Sequence, residues 1–153
     1  MATGLGDLPE LRPVAGVRLG TASAGIKTAG RKDLVLMELA PGARAAGVFT
    51  RNAFCAAPVT VAKEHLAACG GEPRYLLVNT GNANAGTGQQ GLADARACTQ
   101  AVAELAGVDS QQVLPFSTGV IGEALPVERI TAAVPTAVAS LDENGWAEAA
   151  EGI

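Results

Sequence analysis

Large rings are what this sequence most lacks. Three phenylalanines, one tyrosine and one tryptophan make up 3% of 153 residues, which excludes a core of stacked aromatics. The 48% hydrophobic content therefore rests on alanine, valine and leucine, and such a core packs closely through small side chains. Histidine occurs once, as His65, and cysteine three times, as Cys55, Cys69 and Cys98. Without a CxxC or a second histidine, this odd and widely spaced set makes neither a zinc-ligand pattern nor a disulfide framework; reduced, buried thiols are expected. Charges interrupt every apolar stretch before the roughly 18 residues a membrane-spanning helix needs. Basic runs are missing too, and with a net charge of −4 and a pI near 4.9 nucleic acid is not an expected partner. Residues 1 to 13 offer neither a basic n-region nor an apolar h-region, so the protein is read as cytoplasmic.

What is present fits one domain spanning 1–153, a length that buries a core of its own. A mean hydropathy of +0.24 leaves apolar surface to spare, which points to a protein partner. Gly16, Gly20, Gly25 and Gly30 mark a glycine-rich opening. Strands are predicted at 33–39, 46–50 and 74–78, with a short extended piece at 58–61. A brief helix over 62–69 ends on Gly70 in the C′ position. The block Asn79 to Gly88 reads as a loop of residues that tolerate positive φ. The longest helix is expected from Leu92 to Ala106, with Leu92, Ala95, Thr99 and Val102 on one stripe and Gly107 closing it. A turn at Thr118-Gly119 follows Leu114–Ser117. A further helical region runs from Pro126 to Leu141, kinked or divided at Pro135, and a last helix starts near an Asn144 cap. Interspersed strands and helices give a mixed α/β (α+β) class.

Two glycine patterns mimic nucleotide sites. Gly20 to Thr28 approaches a P-loop, but Ile26 breaks the Gly–Lys adjacency that would set the Lys27 amine on phosphates. Gly86-Thr-Gly-Gln-Gln-Gly91 matches GxGxxG between a strand and a helix, yet Asn79 to Ala85 separate it from Val78, whereas a dinucleotide fold needs its first glycine at the strand end. Both are read as structural loops. His65 is read as lying on a solvated helix face, and no nucleophile elbow accompanies it. Glu38, Glu64, Glu104, Glu123 and Glu128 are scattered, and spacing pairs no two as acid and base. Pro115 to Gly122 is different: hydroxyl residues followed by glycines put side-chain O–H and backbone N–H donors at one place, an arrangement that can hold an oxyanion. As bare chemistry, an ordinary glycine turn explains it as well.

Three blocks, Gly47 to Pro58 (GVFTRNAFCAAP), Asn79 to Gly88 (NTGNANAGTG) and Ser117 to Gly122 (STGVIG), resemble those of the ornithine acetyltransferases (glutamate N-acetyltransferases), in the same order and at compatible spacing. Ser23-Ala-Gly-Ile-Lys27, Arg31-Lys-Asp33 and Gly145-Trp146 are similar to that family as well. The resemblance covers essentially the whole chain.

The resemblance implies a precursor that cuts itself before a threonine, the new N-terminal threonine of its β chain being the nucleophile. Its own α-amine serves as base. The acetyl group moves from N-acetylornithine to glutamate through an acetyl-threonine intermediate, with no metal or bound cofactor. The family's oxyanion pair falls on Thr118, through its hydroxyl, and Gly119, through its N–H; loss of one such donor costs about 10²–10³ in rate. The implied fold is a layered sandwich of sheet and helices completed by the β chain, in an α/β hetero-oligomer, a heterotetramer. Some members also take acetyl from acetyl-CoA, and the residues leave that open.

The chain is expected to be the N-terminal portion of the α chain. It stops before the family's Thr-Thr-Asp-Thr block, lysine segment and cleavage site, so alone it is expected neither to self-process nor to catalyse transfer. The competing expectations are a subunit of another N-terminal-nucleophile hydrolase or aminopeptidase, and a truncated, non-catalytic assembly module.

Overall fold

Four runs of aliphatic residues pair into one sheet in the computed structural model, which describes residues 11–153; the reading of residues 1 to 13 as unlike a secretory signal falls largely on the first ten and lies outside it. β1 (Val17–Ala22) and β2 (Leu34–Leu39) are antiparallel, with Val17 opposite Leu39 and Ala22 opposite Leu34. β3 (Tyr75–Asn82) is antiparallel to β2, and β4 (Val113–Val120) is parallel to β3, giving the order β1-β2-β3-β4. A parallel pair needs a long crossover, and α2 (Gly88–Ala106) supplies it. The other helices are α1 (Ala57–Ala68), α3 (Val127–Ala139) and α4 (Trp146–Gly152).

Alternation along the strands sends Leu34, Leu36, Tyr75, Leu77 and Val113 to one face. There they meet Cys98 and Val102 of α2 and Ile130, Val134 and Ala137 of α3 in the main core. On the opposite face Leu19 and Val35 pack with Ala149 and Trp146 of α4. That short helix lies over β1 and β2. Across β3 and β4 the same face leaves Leu76 and Val78 half-buried and Phe116 41% exposed. This is the expected mixed α/β layering, with the β3–β4 half of one sheet face only partly covered.

Several local expectations are corrected. Val17–Ala22, in the glycine-rich opening where no strand was expected, is a strand. It carries Gly20 because a Cβ there would sit 2.1 Å from the Ala137 carbonyl oxygen, so α3 packs directly on backbone. The strand expected at 46–50 is irregular, with Val48 fully exposed; β2 already has β1 and β3 on its two edges. The extended piece at 58–61 is helical, since Pro58 stands in the first turn of α1, where no N–H is needed. Gly70 (φ +62°) does end that helix, the N–H of Gly71 reaching the Leu66 carbonyl at 3.0 Å. α2 starts at Gly88 rather than Leu92 and closes on Gly107 as expected (φ +69°). Pro135 does not divide α3. Gly145, not Asn144, precedes α4, and the Asn144 N–H donates to the Asp142 carboxylate at 2.7 Å.

Of the thiols only Cys98 is buried; Cys69 is half-buried and Cys55 exposed in the irregular segment before α1. His65 is not solvated either. It is 7% exposed and its Nδ1 lies 2.8 Å from the Val113 carbonyl oxygen, tying α1 to β4. No helix among the described residues is long and apolar enough to cross a membrane.

Candidate functional site

β3 and β4 outrun β2, whose ladder with β3 ends at Leu34 opposite Asn79. Beyond that point Thr80, Gly81 and Asn82 pair with Thr118, Gly119 and Val120 alone. Both segments were read as a loop and a turn; they are strand, because each supplies the other's ladder. The turn comes later, after Val120.

Glycine is required on both strands here. Gly119 has φ +133°, and a Cβ on it would lie 2.3 Å from the carbonyl carbon of Gly81; Gly81 has φ +101° and would push a Cβ to 3.0 Å from the Cβ of Lys27. Asparagines fasten what surrounds the pair. Asn79 accepts a hydrogen bond from the Ser117 hydroxyl at 2.6 Å and donates to the Asn82 carbonyl at 2.9 Å. Asn82 donates to the carbonyls of Glu123 and Ala124 at 3.2 and 3.0 Å, holding the turn after β4. Asn84 (φ +44°) is fully buried and donates to the Gly91 carbonyl at 2.9 Å, while accepting from the Thr87 hydroxyl at 2.8 Å. The loop reading captured the tolerance of these residues for positive φ and missed the network. Ser117 thus serves the scaffold, and Thr118 and Gly119 stand exposed beside it.

The segment between β1 and β2 closes over this strand end. The buried carboxylate of Asp33 accepts the backbone N–H groups of Ala24 and Ile26, each at 2.6 Å. That clamp carries Lys27 onto Gly81. A cleft of about 240 Å³ results, lined by Lys27, Thr28, Arg31, Thr80, Gly81 and Gly119 among others. Thr80 is engaged, its hydroxyl donating to the Gly152 carbonyl at 3.1 Å. On the far side of the turn, Phe54 and Ile121 are 66% and 64% exposed and converge over Gly86, where an added Cβ would meet them at 3.2 and 3.8 Å.

The remaining sequence candidates fall away from this site or into the scaffold. Gly91, the last glycine of the GxGxxG pattern, is small because the Thr87 hydroxyl and Asn84 Oδ1 fill the space a Cβ would need, at 1.9 and 2.5 Å. Gly20 to Thr28 is strand and clamped loop, and the next element is β2 rather than a helix. The described residues contain no group of three or more histidine, cysteine or carboxylate side chains able to hold a metal. Glu38, hydrogen-bonded by Arg18 and, at 2.8 Å, by Tyr75, is held below the usual carboxylate range, chiefly by the Arg18 bond. It pairs with Tyr75, six ladder steps from Gly81, about 20 Å along the strand. Burial, with the Asp94 charge second, pushes the Cys98 thiol up to about 12, so it is inert at neutral pH.

The ArgJ family model matches residues 18–153. The arginine biosynthesis bifunctional protein ArgJ of Pseudomonas fluorescens is 61% identical over 153 residues, all of this chain and 37% of that protein. Its counterpart in Methylococcus capsulatus is 61% identical over 149 residues, 96% of this chain and 36% of that protein. The chain therefore spans little more than a third of these relatives. Among solved structures, the ornithine acetyltransferase of Mycobacterium tuberculosis, complexed with ornithine, superposes with a TM-score of 0.86 at 38% identity, covering 92% of this chain and 76% of that one. The arginine biosynthesis bifunctional protein of Bacillus halodurans gives 0.72 at 36% identity, covering 82% and 70%.

Proposed function

The chain belongs to the ArgJ family, and from that membership we propose that it is part of an acetyltransferase moving the acetyl group of N-acetylornithine to glutamate in arginine biosynthesis, in the cytoplasm. Thr118 and Gly119 are its oxyanion donors. The observation that carries this reading is the exposure of both at a strand end whose geometry only paired glycines permit. A hydroxyl and an adjacent backbone N–H are the pair of donors a tetrahedral acyl-transfer intermediate needs, and a backbone held by a close-packed ladder means little reorganisation as the charge develops.

The nucleophile is the N-terminal threonine of a β chain cut from the same precursor, activated by its own α-amine. It attacks the acetyl carbonyl, ornithine leaves, and glutamate collects the acetyl group; each half-reaction sends negative charge toward Thr118 and Gly119. The only partly covered β3–β4 half of that sheet face, with Leu76 and Val78 half-buried and Phe116 41% exposed, supports a β chain as a further layer of an α/β hetero-oligomer. Product analysis of the processed enzyme tests the reading. With N-acetylornithine and glutamate it should form acetylglutamate in step with ornithine; release of free acetate without acetylglutamate would mark a hydrolase and overturn it.

A further inference from the structure

We propose that Asn79 and Ser117 are positioning residues for acyl transfer: one amide ties both strands of the kinked ladder and so sets Thr118 and Gly119 where the oxyanion forms. The role rests on the acetyl-transfer reading above. Asn79 is 5% exposed and is the last residue of β3 with a partner on β2. From there its side chain makes two hydrogen bonds in different directions. Across the ladder its Oδ1 accepts from the Ser117 hydroxyl at 2.6 Å, and along its own strand its Nδ2 donates to the Asn82 carbonyl at 2.9 Å. The second bond requires a bent strand. Three residues of regular strand span about 10 Å, farther than an asparagine side chain reaches. Gly81, at φ +101°, supplies the bend; Gly119 opposite it, at φ +133°, follows, packed so closely that a Cβ on it would lie 2.3 Å from the Gly81 carbonyl carbon.

The two glycines permit this kink without selecting it, because glycine takes positive and negative φ about equally readily. The Asn79 amide selects it, holding β3 on both sides of Gly81 and β4 at Ser117. Ser117 stands one residue before Thr118, and the kink at Gly119 one residue after it. Both donors are exposed, so their placement depends on the backbone on either side. That placement matters because a donor works only within about 2.7–3.1 Å of the developing charge, and a misplacement of about 1 Å can cost roughly 10² in rate. The pairing also explains the residue type. A hydroxyl donates to one end of the side chain and a carbonyl accepts from the other, which only an amide satisfies. Aspartate would keep the acceptor for Ser117 and set a carboxylate oxygen against the Asn82 carbonyl.

The test uses the processed α/β enzyme with N-acetylornithine and glutamate, rates being taken per processed β chain. Ser117→Ala and Asn79→Asp should each lower kcat about 3- to 10-fold, the range for one neutral hydrogen bond, with KM for N-acetylornithine little changed. Ser117→Thr keeps the hydroxyl and should recover most of the rate. Combined with Thr118→Ala, Ser117→Ala should cost clearly less than the product of the two single losses, because part of what it misplaces is already gone. A purely structural role predicts otherwise: a lower melting temperature with kcat kept, or losses that multiply in full. Either result would overturn the proposal, as would a Ser117→Thr variant no faster than Ser117→Ala. Asn79 is buried and its variant the more disruptive, so the half-buried Ser117 series decides the matter on its own. If the wild type forms no acetylglutamate at all, it is the acetyl-transfer reading that fails.

Discussion

Gly81 and Gly119 face each other across the parallel β3–β4 ladder, both at positive φ, and a methyl group on Gly119 would lie 2.3 Å from the carbonyl carbon of Gly81. The contact is backbone to backbone, so no side chain can turn aside to relieve it. Gly119→Ala is expected to cost about 3 kcal/mol or more, from the strained φ and the overpacking together. Gly81→Ala should cost less, because its added Cβ meets the side chains of Lys27 and Ile26, at 3.0 and 3.2 Å, and the loop can shift. Thermal melting of the two variants checks the order; equal melting temperatures would contradict the close approach.

Thr118 offers the complementary experiment, since its exposed side chain bears little on stability. Thr118→Ala should leave melting and precursor processing intact while lowering kcat by about 10²–10³, the usual cost of one oxyanion donor. Thr118→Ser keeps the hydroxyl and should restore most of the rate. A wild-type rate in the alanine variant would remove Thr118 from the reaction.

How much of this was legible beforehand depended on whether the signal was local. The hydrophobic period of α2, with Gly107 stopping it, needs only neighbours along the chain, and so does Gly70 closing α1. The strand β1 was hidden because Gly20 breaks its pattern, and the reason for that glycine is the Ala137 carbonyl on a helix more than a hundred residues away. His65 has polar neighbours in sequence, Lys63 and Glu64, which suggested solvent; its partner, the Val113 carbonyl, becomes visible only once β4 is in place. Thr118 and Gly119 were singled out by block resemblance. Their setting in a ladder with Thr80 and Gly81, and the Asp33 clamp that sets Lys27 against Gly81, come from long-range pairing that spacing does not encode.

The cysteines separate by environment. Cys55 is exposed, whereas Cys98 is 3% exposed with its thiol pushed up to about 12 by burial and the Asp94 charge. The thiolate is the reactive form, so a thiol-specific reagent at pH 8 should label Cys55 in the native protein and reach Cys98 only on unfolding. Mass mapping of the labelled peptides reads this out. Native labelling of Cys98 at a rate like that of Cys55 would mean the α2 face opens far more readily than its packing implies.

Acid sensitivity should trace in part to Glu38. Its carboxyl sits below its ordinary value of 4.5, first because Arg18 donates a hydrogen bond to it and then because Tyr75 does, against a desolvation cost that acts the other way. The folded state therefore binds this proton less tightly than the unfolded state does, and unfolding takes up a proton in the window between the two values. The contribution is complete above about pH 4.5, where both states are ionised, and is lost as pH falls through the lower, folded value. Glu38 is 16% exposed but Arg18 is 48% exposed, so solvent screens the pair and its worth is about 1 kcal/mol. Glu38→Gln should destabilise by that amount at pH 7 and by progressively less below pH 4.5. Parallel stability–pH curves for wild type and variant would show that Arg18 and Tyr75 do not hold the carboxylate in the folded protein.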